Sequence, residues 1–186
     1  MTTQRKRMSL YFIAPAVLLA LAAGGMQVAR AANNATASAT AVVLVPISVV
    51  KTTDLSFGRL VAGNGTVTLD TSGGRAKTGG TALPMGATPT AALFTVTGDT
   101  TNTFSISYTG TSSVLTDGTP ADDMTVTFIT EAIGTTSPNA KTSGQDATGT
   151  LVAGNAYIYV GASLIVGAAQ PAGTYTGTIA VTVDYN

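Results

Sequence analysis

The chain has 186 residues, nine basic and nine acidic side chains, and no histidine, cysteine or tryptophan. It therefore lacks the commonest general base, the thiol nucleophile and the usual transition-metal ligands, so no catalytic, cofactor-binding or metal-binding residue is expected and the chain reads as a non-enzyme without cofactors. Charged residues make up only 10% of the chain and are balanced in sign, which leaves no electrostatic footprint for nucleic acid or anionic lipid.

In chain order, residues 1–31 read as a signal peptide. Arg5, Lys6 and Arg7 precede an apolar run of about 13 residues, from Tyr11 to Ala23, and Ala29-Arg30-Ala31 supplies a small-x-small cleavage site. A spanning helix needs roughly 20 residues, and Pro15 and Gly24-Gly25 interrupt this run, so export with cleavage is expected, and no membrane span in the mature chain. The mature chain would keep about 155 residues, enough for one domain with a core, and five basic residues against nine acidic ones, a net charge of −4.

Residues 32–45 form an unusual leader. Ala35, Ala37, Ala39, Ala41, Val43 and Val45 fall on alternate positions, with Thr36, Ser38 and Thr40 between the first of them. Extended chain would place the apolar set on one edge of a strand roughly 33 Å long. Pro46 interrupts the run before Ile47 opens the next, so the domain proper is expected over residues 46–186. The same pattern also fits a loose Ala/Thr tail, or a first strand paired within its own sandwich.

Beyond Pro46 the apolar residues recur at period two. Runs at 66–70, 93–97, 103–108, 124–129, 157–160, 164–166 and 174–185 are separated by turn chemistry such as Gly63-Asn64-Gly65, Gly98-Asp99, Asp117-Gly118 and Gly154-Asn155. Short strands with Gly-rich turns predict an all-β antiparallel sandwich. Residues 73–90 and 134–149, with their glycines and prolines, read as loops. Asp122-Asp123 after Pro120 reads as a solvated turn, because neighbouring side chains on a strand point apart, and Glu131 near Lys141 reads as surface charge.

The last run alternates almost without fault. Tyr175, Ile179, Val181, Val183 and Tyr185 share one face with Gly173 and Gly177, and Thr and Asp dominate the other. As the chain stands, Tyr185 is penultimate and Gly173 is fourteenth from the end. This C-terminal pattern resembles that of chaperone–usher fimbrial subunits. The Ala/Thr leader ending in Val45-Pro46 is similar to the donor segments of the capsule-like and Mat-type branches. Leu55-Ser56-Phe57-Gly58 with Gly65-Thr66-Val67-Thr68 resembles a group of secreted bacterial domains of unknown function related to those pilins. The cysteine pair of type 1 and P pilins is absent, which departs from those branches and not from the capsule-like one.

The resemblance implies a structural subunit of a bacterial surface fimbria with a role in adhesion or biofilm. Its domain would be an immunoglobulin-like sandwich lacking its last strand. Ala35 to Val45 of one copy would complete a second copy beside Gly173, Tyr175, Gly177, Ile179, Val181, Val183 and Tyr185, giving a head-to-tail homopolymer. It also implies a periplasmic chaperone, anchored on the carboxylate of Asn186, an outer-membrane usher, and a tip adhesin among the partners. The chain would pass through the inner membrane and periplasm to the cell surface. The competing reading is a monomeric secreted sandwich that binds a glycan or matrix protein.

Overall fold

The structure, a computed structural model, describes residues 33–80 and 84–186. The expected signal peptide lies outside the described residues. From Val42 onward the chain forms one compact unit.

Twelve strands follow one another: β1 (Ser48–Thr53), β2 (Arg59–Leu60), β3 (Gly65–Leu69), β4 (Arg75–Gly79), β5 (Pro84–Met85), β6 (Ala92–Thr97), β7 (Thr103–Ser107), β8 (Val114–Leu115), β9 (Met124–Ile133), β10 (Thr148–Thr150), β11 (Asn155–Val166) and β12 (Thr182–Tyr185). All their pairings are antiparallel. One sheet runs β1-β6-β11-β3-β4, with β9 on the far edge of β11 and β8 beyond it; β10-β7-β12 form the second, and β2-β5 a small third. The chain is an all-β, sandwich-like fold, as its alternation predicts.

Period two explains which residues fill it. Phe94 and Val96 of β6, Phe104 and Ile106 of β7, and Met124, Val126 and Phe128 of β9 are buried, while most residues between them face outward. The 12-residue strand β11 lies at the centre and buries Ala156, Ile158, Val160, Ala162, Leu164 and Val166. The sequence suggests two separate runs here, 157–160 and 164–166, whereas the structure makes one strand. One edge of β11 pairs with β9. The other pairs first with β6, as far as Val160↔Ala92, and then with β3 from Ala162↔Leu69. Gly161 stands at that handover, where a Cβ would meet the Leu69 carbonyl oxygen at 2.2 Å. The glycine that looks like an interruption is what lets two strands share one edge.

Three further expectations are corrected. Residues 73–90 are not simply a loop: β4 pairs with β3 from Leu69↔Arg75 to Gly65↔Gly79, and β5 pairs with β2. Glycine and charge hide β4 from a hydrophobic pattern because most of its side chains are exposed. Residues 134–149 remain largely irregular, but their end enters β10.

Glu131 is not surface charge. It is 4% exposed, and its carboxylate accepts the Thr71 hydroxyl at 2.6 Å and the Asn139 backbone N–H at 3.0 and 3.1 Å, together with the Asn139 side-chain amide. Lys141 instead pairs with Asp146 at 2.6 Å and donates to the Thr130 carbonyl. The 134–146 segment is thus pinned over the outer face of β9, which is why Ile129, Thr130 and Glu131 are buried in succession where alternation ends.

Tyr108 closes this network, its hydroxyl 2.8 Å from Thr130 Oγ1 and 3.0 Å from the Asp146 carbonyl. Burial pushes its phenol from 10.0 up to about 12; Asp146 adds to the shift and the Thr130 bond opposes it. A folded-state value above the unfolded one means that the folded chain holds the proton more tightly. The resulting stability is complete below pH 10 and is lost as pH rises from 10 towards 12. Denaturant titrations across that window are expected to show a fall in stability that Tyr108→Phe makes shallower. Equal slopes for both proteins would disprove the assignment.

Candidate functional site

The C-terminal run is extended throughout, but only Thr182–Tyr185 joins a regular ladder, on β7 from Thr182↔Ser107 to Tyr185↔Phe104. Upstream it lies against β8 by a mixed set of bonds. Thr176 exchanges both backbone bonds with Thr116 at 2.8 and 2.9 Å, and the Thr178 carbonyl accepts from Ser112 N–H at 2.9 Å. The Thr178 and Ala180 N–H groups donate to the hydroxyls of Ser112 and Thr111, each at 3.0 Å. The cause is local. The chain between β7 and β8 turns at Gly110, with φ +88°, so it leaves the ladder, and two side-chain oxygens stand in for its carbonyls. The expected strand over 174–185 is therefore a single extended run with a patched middle.

Every bond of residues 176–180 just described belongs to an even position. Among the described residues, no backbone hydrogen bond reaches Tyr175, Gly177, Ile179 or Val181. Neighbouring residues of an extended chain aim their N–H and C=O groups to opposite sides, so these four present a row of donors and acceptors along the free edge.

That edge borders a groove of about 1120 Å³. Its opposite wall is residues 51–62, held from behind by Ser56 and Thr90, which exchange backbone bonds at 2.8 and 2.9 Å, and by the Arg75 guanidinium on the Phe57 carbonyl. Phe94, Met124, Phe128 and Leu164 lie beneath, and Tyr175 and Ile179 lean in from the free edge. Gly177 sits between those two. A Cβ there would meet Leu115 Cδ2 at 2.8 Å and the Val114 carbonyl oxygen at 3.1 Å, so glycine lets the edge press close to β8. An apolar floor beside a row of unpaired backbone groups is the chemistry of strand addition: main-chain bonds at the edge, alternate side chains below.

The matching family model is Domain of unknown function (DUF4402), over residues 47–185. The chain belongs to this family. No curated protein and no solved structure matches the chain. The DUF4402 match begins immediately after Pro46, so it takes in both walls of the groove and leaves the leader outside.

The leader residues are placed differently from the DUF4402 core. Ala35, Ala37, Ala39, Ala41, Val43 and Val45 are all exposed, and among the described residues no regular structure begins before Ser48. Val42 is 85% and Val43 94% exposed. Among the described residues, 35–45 belong to no strand.

The C-terminal residues stand as the alternation predicts. Val183 is buried, and Tyr175, Ile179, Val181 and Tyr185 pack half-buried on the core, while Gly173 and Gly177 are exposed. Asn186 is exposed, its N–H donating to the Thr103 carbonyl at 3.3 Å. Asp122 lies in a 3-10 turn, Pro120–Asp122, with Asp123 next to it. Among the described residues, no group of three or more acidic side chains could hold a metal ion, and no helix is long and apolar enough to cross a membrane. The second wall, residues 54–62, escapes sequence patterning because the period-two spacing of Leu55 and Phe57 is not continued by Leu60.

Proposed function

We propose that the chain is a structural subunit of a bacterial surface fimbria, exported by its signal peptide and polymerised by strand donation. The occupant of the groove is the leader, residues 35–45, of a second copy. The observation that carries this reading is the free edge at Tyr175, Gly177, Ile179 and Val181 beside an apolar floor. It is supported by a leader in the same chain whose apolar residues alternate, whose length of roughly 33 Å suits a long strand, and which is exposed.

In this reading the immunoglobulin-like sandwich lacks one strand. A periplasmic chaperone covers the groove first, with the carboxylate of Asn186 as its anchor point, and an outer-membrane usher presides over the exchange. The leader of the next subunit then pairs beside residues 174–185, with Val43 and Val45 filling deeper sites than the alanines. Because donor and acceptor are different surfaces, the contact does not close on itself and propagates into a fibre.

An unboiled gel of surface material tests the reading, with the chaperone and usher genes expressed alongside. A ladder of detergent-resistant multimers that collapses on heating is the expected result. A single monomer band would overturn it in favour of a monomeric secreted sandwich that binds a glycan or matrix protein.

A further inference from the structure

The root of the leader is held by one hydroxyl. Tyr185 O–H donates to the Val45 carbonyl at 2.7 Å, and the same oxygen accepts the Asp99 backbone N–H at 2.6 Å. Its seat is specific. A Cβ on Gly98 would stand 2.4 Å from the Tyr185 oxygen, so the hydroxyl fits only because residue 98 has no side chain. One oxygen therefore ties the turn after β6, the C-terminal strand and the start of the domain. A hydroxyl that both accepts and donates is polarised by each bond, which strengthens the other.

The position of this tie matters because of the groove. Tyr185 reaches Val45 at one end and Gly63 N–H bonds the Gly167 carbonyl at the other, so residues 45–63 run alongside 167–185 in the opposite sense. The groove opens along that line, its wall beginning at Lys51, about 20 Å of extended chain from Val45. A leader that turned back at Pro46 could therefore reach the groove of its own chain. It would lie parallel to residues 174–181, the slightly weaker pairing, but without the cost of bringing two molecules together. Fibre growth needs that shortcut suppressed. Val45 is not among the residues lining the groove, and the carbonyl that Tyr185 holds is the one at which a turn back would begin.

We infer that Tyr185 is a positioning residue whose hydroxyl latches Val45 and so keeps the leader for a second copy, suppressing insertion into its own groove. This rests on the strand-donation reading above. Tyr185→Phe keeps the ring and its packing while removing both hydrogen bonds. One bond of ordinary net worth corresponds to about a fivefold gain in self-inserted monomer.

The chain contains no cysteine, so Ser38→Cys gives a unique attachment point for an environment-sensitive dye in the leader of the whole mature chain. With Tyr185 in place, dye burial is expected to rise with protein concentration, as leaders enter other copies. With Tyr185→Phe, burial is expected already at the lowest concentration, in material that runs as a monomer, with the multimer ladder about fivefold weaker. Equal concentration dependence in both proteins overturns the latch and leaves strand donation standing. A dye exposed at every concentration in the Tyr185 protein overturns both. Denaturant midpoints of the two proteins show whether Tyr185→Phe is folded. If it is not, Gly98→Ala, which displaces the same hydroxyl, must give the early burial or the latch is wrong.

Discussion

A chain lacking residues 32–45, with its signal peptide kept, is expected to fold and to form no fibres. Residues 33–46 are all exposed, and the bond lost with them is Tyr185 to Val45, worth about 1 kcal/mol. The stability of the single domain should therefore change little. On the strand-donation proposal, polymerisation in contrast loses its donor entirely. The acceptor edge then stays unpaired, and each large apolar side chain not covered leaves roughly 1.5–3 kcal/mol unrealised. Such a subunit should accumulate with its chaperone, because a bare sheet edge beside an apolar floor also invites aggregation. Electron microscopy of cells and an unboiled gel read the result together. Long fibres from the truncated chain would end the strand-donation reading, whatever the stability of the domain.

The second large effect is expected at Gly161. Gly161→Ala puts a methyl group 2.2 Å from the Leu69 carbonyl oxygen, with Asp70 backbone atoms at 2.8 and 2.9 Å. These are backbone atoms in paired strands, so no side-chain rotation relieves the clash, and β3 must shift off β11 or the handover from β6 must open. Overpacking of this kind costs about 3 kcal/mol, a large share of a typical 5–15 kcal/mol. Gly167→Ala is the control: its nearest neighbour is the end of Gln170 at 3.4 Å, and a change within about 0.5 kcal/mol is expected there. Urea midpoints measure both. Equal shifts in the two variants would show that the close approach at residue 161 does not hold the sheet together.

The two sites also separate stability from assembly. Gly161 lies at the centre of the sandwich, and its substitution should lower folded protein and fibres alike. The leader deletion should spare the fold and remove the fibres. Tyr185→Phe should keep both the fold and the donor, and redirect the donor.

The faces of the strands were legible from residue order alone. Alternation placed Phe104 and Ile106, Met124, Val126 and Phe128, and Tyr175, Ile179, Val181, Val183 and Tyr185 on the inner side, because side-chain direction follows from position along an extended chain. It also marked the leader, whose small apolar residues alternate without a partner strand in view.

The edges were not legible there, because they depend on how distant segments come together. Whether Tyr175 to Val181 are paired on one side or two depends on where residues 51–62 and 111–116 arrive, and no local pattern reports that. The same reason hid β4, whose exposed side chains carry no hydrophobic signal although its backbone is paired. It hid the seat of Glu131, which depends on Thr71 and Asn139 from elsewhere in the chain. Strand faces are encoded residue by residue, while hydrogen-bonding edges are assigned by whichever segment comes to lie beside them, and the groove is made of edges.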